Sequence, residues 1–286
     1  LLSEIENAKK KLEGKIVKTP ILPLEGSKIK SSLPFESKTF IKLELYQHTG
    51  SFKARGNLLA VDKLTDEQKI RGVVAVSAGN HALAVSWAAK QVGTHAKLFM
   101  PKTADPFRVE GCRNLGAEVI LLSDVKLCFE KLLESSEKEK RTILHPFDSK
   151  NMALGSATLG LEISDSISDL DIAILPVGGG GLIAGAATAL KLKNPKLKIF
   201  GIEPLGADSM KRSFEEGRPV NLDKVNTIAD SLGAPMAMKY SYELTRKSVD
   251  KIFTVSDADL KNAMRFIQTY LNLWVEPACA ASMAGL

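Results

Sequence analysis

Apolar positions recur every third or fourth residue between Ser3 and Glu13, with charged residues between them, and this period predicts an amphipathic helix. The pattern then changes. Lys38 to Leu43 reads as a strand, followed by a helix beginning near Ala54. Val73-Val74-Ala75-Val76 is a short unbroken apolar run, as expected of a buried strand, and an alanine-rich helix follows through Lys90. The alternation continues: a strand Ala96 to Met100, a helix Phe107 to Leu115, a strand Glu118 to Leu122 and a charged helix ending near Lys140. After His145-Pro146-Phe147-Asp148 come a helix, a strand Ile172 to Val177, a glycine run, another helix and a strand Leu197 to Ile202. Alternating strands and helices predict the α/β class, with largely parallel sheets covered by helices. The two strand-helix units between residues 71 and 148 have the form of an inserted smaller domain. On that division residues 1–70 and 149–286 are the two parts of a larger one. There is no internal repeat or low-complexity linker.

Composition narrows the function classes. The 286 residues are 44% hydrophobic and 25% charged, an ordinary globular balance. The formal net charge of +6 would suit nucleic acid if it were concentrated, but the 39 Lys and Arg residues are scattered among 33 acids. The densest basic runs, Lys9-Lys10-Lys11 and Lys191 to Lys198, lack interleaved aromatics, so no nucleic-acid partner is expected. Cys112, Cys128 and Cys279 form neither a disulfide framework nor a zinc-ligand spacing. No apolar run reaches the length of a membrane span and no signal peptide is apparent. A cytoplasmic protein is expected, without a membrane partner. The absence of an initial Met, and the stop at Ala284-Gly285-Leu286 inside an apolar helical pattern, suggest that both ends are incomplete.

Three strand-to-helix turns carry candidate chemistry. In TGSFKARGN, residues 49–57, Lys53 lies between Phe52 and Ala54 with glycines on both flanks. Shielding by Phe52 and its neighbours would lower the ammonium pKa from about 10.4 and make a Schiff-base nucleophile. Taken alone, a lysine that merely caps the turn is the plainer reading. In PVGGGGLIAG, residues 176–185, four glycines separate a strand from a helix, so backbone N–H groups and the helix N-terminus can hold a phosphate. No Lys-Ser/Thr pair follows, which excludes a P-loop. The same stretch satisfies G-x-G-x-x-A through Gly179, Gly181 and Ala184. Glu203 ends the next strand where a ribose-binding acid would sit, so a dinucleotide-dependent oxidoreductase is a rival. The third turn, Ser77-Ala78-Gly79-Asn80-His81, offers a hydroxyl, an amide, an imidazole and free N–H groups to an anion such as a carboxylate. Read alone, His81 fits a capping or packed residue better than a catalytic one. Together, a lysine, a phosphate cradle and a carboxylate turn describe pyridoxal phosphate catalysis of an amino acid.

The chain resembles the fold-type II pyridoxal phosphate enzymes, within them the threonine/serine dehydratase and serine racemase group, over essentially its whole length. The motifs TGSFKARGN, SAGNHA, HPFD, PVGGGGL, GIEP, TIAD and VEP stand in that family's order. The resemblance implies a tryptophan synthase β-like fold of two open, twisted, mostly parallel sheets. It implies that Lys53 forms the Schiff base with pyridoxal 5'-phosphate and moves the substrate α-proton, with Phe52 beside the cofactor ring. Asn80 would contact the phenolic oxygen, Gly178, Gly179, Gly180 and Gly181 the phosphate, and Glu276 the neighbourhood of the ring. Ser77, Ala78, Asn80 and His81 would receive the substrate carboxylate. Residues 71–148 would be a small mobile domain closing on the large cofactor-binding domain, and the protein a homodimer.

Racemases of this group carry a second serine where this chain has Ala78, which favours elimination from a small hydroxy amino acid, L-threonine or L-serine first. Departures at Ser231, after TIAD, and at Ser156 keep a hydroxyaspartate or phenylserine-type dehydratase as the alternative. A non-catalytic ligand-binding relative is a third reading. The family's metal ligands match Glu203, Ala207 and Ser209, but the last replaces an aspartate. A hard divalent cation favours charged oxygen ligands, so occupancy there is doubtful.

Overall fold

The computed structural model describes residues 1–33 and 37–286. Among the described residues, nine strands form three sheets: β1 (Ile21–Pro23), β2 (Phe40–Lys42), β3 (Val73–Val76), β4 (Ala96–Pro101), β5 (Glu118–Leu122), β6 (Thr142–Ile143), β7 (Ile172–Pro176), β8 (Lys198–Pro204) and β9 (Lys251–Val255). β1 and β2 are antiparallel. The order β5-β4-β3-β6 makes a four-stranded sheet, parallel throughout. A second parallel sheet has the order β7-β8-β9. The α/β expectation therefore holds, with two parallel sheets covered by helices.

Local sequence accounts for most boundaries. The first helix, Leu2–Leu12, buries Ile5, Ala8 and Leu12, one stripe at helical spacing. Pro106 opens the helix Pro106–Asn114, capped by Asp105 at the Phe107 N–H, while Asp124 and Ser149 cap Val125–Glu139 and Lys150–Ser166. β3 is buried on both faces at Val73, Val74 and Ala75, which is why its apolar run is unbroken. The expected strand Lys38 to Leu43 shortens to Phe40–Lys42, because single 3₁₀ turns at Glu44–Tyr46 and His48–Gly50 follow it. Gly155 to Thr158 lie inside the helix Lys150–Ser166.

Close helix packing fixes where the site forms. Helix Lys150–Ser166 packs against both Lys53–Asp62 and Gly181–Lys193 through small residues. A Cβ on Gly155 would fall 2.4 Å from the Gly56 nitrogen, and one on Gly185 would fall 1.9 Å from the Ala153 oxygen. Only a residue without Cβ permits such approach. Two interhelical contacts thus bring the N-termini that carry Lys53 and the glycine run toward one another.

Candidate active site

The amine of Lys53 lies at the start of its helix, 5.1 Å from the centroid of the Phe52 ring. The residue is partly exposed as a whole, yet burial of its amine pushes the pKa down to about 8. Nζ donates to the Pro146 carbonyl. A lysine merely capping a surface turn would keep its amine in water. The enclosed, partly neutral amine here is suited to attack a carbonyl.

The glycine run links β7 to the helix Gly181–Lys193. Gly180 is left-handed at φ 86°, and the first intrahelical bond of this turn runs from Ala184 N–H to Gly180 O at 2.9 Å. The N–H groups of Gly181, Leu182 and Ile183 precede that bond and have no intrahelical acceptor. Phe147, from HPFD, packs on the glycines: a Cβ on Gly179 would lie 2.3–2.5 Å from its ring atoms. The dipole and free N–H groups make this a cradle for an anion.

The third turn caps the helix Asn80–Gln91. Ser77 Oγ accepts from Gly79 N–H at 3.2 Å, and the first intrahelical bond is Ala82 N–H to Gly79 O at 3.0 Å. The N–H groups of Asn80 and His81 are therefore free of intrahelical acceptors, whereas Ala78 offers only backbone. The His81 imidazole turns inward instead of toward an anion. Its Nε2–H donates to Leu144 O at 2.9 Å, and its Nδ1 accepts from Asn57 Nδ2 at 3.2 Å. Burial and the nearby Lys53 cation hold its pKa down to about 3, so the ring stays neutral. Asn57 Nδ2 also donates to the Lys53 carbonyl at 2.9 Å. His81 thus anchors the lysine helix to the Leu144–Pro146 segment, the same segment that accepts from Nζ.

Glu276 Oε1 accepts from Asn80 Nδ2 at 2.7 Å, and Ser231 Oγ donates to Glu276 Oε2 at 3.2 Å. Asn80, Ser231 and Glu276 meet although they are far apart in sequence. Ser156 does not join them: its buried hydroxyl lies 2.6 Å from both Met152 O and Gly181 O, which share its one proton. Its contribution is to tie the glycine run to the helix Lys150–Ser166, not to shape a pocket. Phe147 and Asn57 lie inside sequence motifs, HPFD and TGSFKARGN, that do not single them out, and Arg108 lies in none.

Glu203 is wholly buried at the end of β8, and its two oxygens accept from Met210 N–H at 2.9 Å and Lys211 N–H at 2.7 Å. Burial pushes its pKa up to about 8 against those two hydrogen bonds. Ser209 Oγ is buried without a partner beside this turn, and Asp208 is paired with Arg212 at 3.0 Å. One carboxylate already bonded twice by N–H groups, the Ala207 backbone and a hydroxyl do not fit a hard divalent cation. Among the described residues, no three His, Cys, Asp or Glu side chains are grouped to hold a metal.

The pyridoxal-phosphate dependent enzyme family matches this chain over residues 12–286. The chain belongs to that family. It is 49% identical over 248 residues to the phenylserine dehydratase of Ralstonia pickettii, covering 86% of this chain and 75% of that protein. It is 37% identical to a catabolic L-threonine dehydratase of Staphylococcus aureus, over 100% of this chain and 82% of the relative. Among solved structures, the processed form of threonine deaminase isoform 2 from Solanum lycopersicum superposes with a TM-score of 0.92 at 32% identity, covering 99% of this chain and 82% of the other. Membership overturns the dinucleotide reading, and the geometry gives the reason: Glu203 is enclosed and capping a helix, so it cannot reach a ribose. No helix among the described residues is long and apolar enough to cross a membrane.

The cofactor of this family fits the residues present. The glycine turn packed on Phe147, the free N–H groups at the helix start and the enclosed amine of Lys53 suit a phosphate and an aldehyde on one small molecule.

Proposed function

We propose that the chain dehydrates and deaminates a small β-hydroxy amino acid to a 2-oxo acid and ammonia. The enclosed amine of Lys53, bonded to the Pro146 carbonyl beside the Phe147 ring that packs on the glycine run, is the observation that carries this reading. When bound, pyridoxal phosphate supplies the electron sink that acidifies the substrate Cα–H. Lys53 Nζ takes that proton, because its lowered pKa leaves a useful neutral fraction near neutrality. Gly178 to Gly181 would hold the cofactor's phosphate, and Asn80 and Phe52 would contact its ring. Ser77 Oγ and the N–H groups of Ala78, Asn80 and His81 receive the carboxylate. Ala78 has no hydroxyl to return a proton from the other face, which supports elimination over racemisation.

L-Threonine and L-serine lead as substrates. A phenylserine-type side chain is the second reading, favoured by the 49% identity to the Ralstonia pickettii enzyme. Residues 71–148 act in this proposal as the smaller domain that closes on the rest and excludes water. A homodimer in the cytoplasm belongs to the same proposal. The test is to load the purified protein with pyridoxal phosphate and assay 2-oxo acid with L-threonine, L-serine, phenylserine and hydroxyaspartate. Product from at least one, abolished by Lys53→Ala, is expected. No product from any of them would refute the dehydratase.

A further inference from the structure

Arg108 has no part in the chemistry described above, yet it stands at the centre of a charge cluster on the edge of the site. It belongs to the helix Pro106–Asn114, which follows β4. Its Nη1 donates to Asp230 Oδ2 at 2.9 Å and its Nη2 to Glu276 Oε2 at 3.1 Å. Among the described residues, these two ion pairs are the ones that join residues 73–143 to the rest of the chain. The arginine side chain is 19% exposed, so water screens it incompletely. The other Glu276 oxygen is the one that accepts from Asn80 Nδ2 at 2.7 Å. Ser231 Oγ reaches Glu276 Oε2 at 3.2 Å, and the Ser231 N–H donates to Asp230 Oδ1 at 2.8 Å. Nη1 also lies against the carboxylate turn, since a Cβ on Gly79 would come within 2.9 Å of it. One guanidinium therefore touches Asp230, Glu276 and the turn that carries Ser77 to Asn80.

We propose that Arg108 is a positioning residue for this enzyme. It fixes the plane of the Glu276 carboxylate so that the other oxygen holds the Asn80 amide. By binding Asp230 as well, it keeps the Ser77–Asn80 turn against the Asp230–Ser231 segment. Ser231 Oγ also reaches that oxygen, but a neutral hydroxyl holds it less firmly than a charge-assisted bond to a planar guanidinium, which sets its orientation. Without the cation, Asp230 and Glu276 face one another as like charges, and the Asn80 amide loses its fixed acceptor. A lysine at this position is a point charge on a flexible stem and cannot reproduce a two-carboxylate fork. The proposal rests on the reading of Asn80 as a cofactor contact and of its turn as the carboxylate site.

The experiment uses the full chain and four variants: Arg108→Ala, Arg108→Lys, Glu276→Gln and the double variant Arg108→Ala/Glu276→Gln. Pyridoxal phosphate affinity is read by absorbance titration of the cofactor-free proteins, kcat and KM are measured on the loaded ones, and thermal unfolding is followed for each. Arg108→Ala is expected to weaken cofactor binding and lower kcat by about tenfold, the worth of one charge-assisted hydrogen bond. Arg108→Lys should recover only part of that loss. The double variant should be no worse than the worse single variant, since both changes act through the same amide. Multiplicative losses in the double variant would overturn the proposal. So would a lowered melting temperature with cofactor affinity, kcat and KM unchanged. If the unmodified protein turns over no hydroxy amino acid, the dehydratase reading fails, while the cofactor titration still decides the role of Arg108.

Discussion

Replacing Glu162 by alanine perturbs the buried charge network beneath Lys53. Glu162 receives Arg55 Nη1 at 2.6 Å, Arg55 Nη2 at 3.0 Å and Lys42 Nζ at 2.6 Å. Arg55 is fully buried, and its second partner is Glu44, reached by Nε at 2.9 Å and Nη2 at 2.8 Å. Burial opposes the Arg55 cation, but hydrogen bonds to Glu44 and Glu162 outweigh it and raise the pKa. Glu162→Ala leaves Lys42 with only the Thr19 carbonyl and Arg55 with Glu44 and the Thr158 hydroxyl. Removing one partner of a buried pair costs about 3–5 kcal/mol, and because Glu44 remains, the lower end, about 3 kcal/mol, applies. With an unfolding entropy of about 2 cal/mol/K per residue, a chain of this length should lose about 5 °C in melting temperature. Burial raises the Glu162 carboxyl, but Arg55 and then Lys42 lower it further, and the net shift is downward. A carboxyl depressed in the folded state stabilises above its unfolded pKa and loses that contribution as pH falls through its folded one. The gap between the two proteins should therefore narrow in acid. Thermal unfolding by circular dichroism at neutral and acidic pH is the assay, with kcat alongside, since Arg55 shares a helix with Lys53. A melting temperature within about 1 °C of the parent at neutral pH would refute the reasoning, because it would mean the pair roughly offsets its own desolvation.

Two further outcomes are expected. Gly179→Ala should abolish the absorbance band formed with pyridoxal phosphate, since the new Cβ would lie 2.3–2.5 Å from the Phe147 ring; a band of undiminished affinity would show that the ring moves aside. Aldehyde capture by Lys53, fixed with borohydride, should rise about tenfold between pH 7 and 9, because burial sets the amine near 8. A rise that levels off only above pH 10 would place that amine in water.

Much of the fold was legible because the information was local. Buried strands such as Val73–Val76 announce themselves as apolar runs, and the helix starts at Pro106 and Lys150 follow capping residues. β6, two residues long, and β9, Lys251–Val255, went unmarked. A two-residue strand has no period to detect. β9 is a strand because it pairs with β8, not because its own pattern demands it. In the site, ordered motifs pointed to Lys53, the glycines and the Ser77–His81 turn. They did not say which way His81 faces, nor that Ser156 is spent on Gly181.

The sequence by itself determined the class and the family and singled out Lys53 as the candidate lysine, because apolar period, glycine spacing and motif order are properties of neighbouring residues. Tertiary structure alone decided what surrounds them. The enclosure that lowers Lys53 comes from packing, and the Asn57–His81–Leu144 anchor joins residues from three segments. Arg108 reads in sequence as one more basic residue on a helix. It acquires Asp230 and Glu276 only when folding sets distant segments side by side, and a hydrogen bond exists only at the distance that the packed backbones allow.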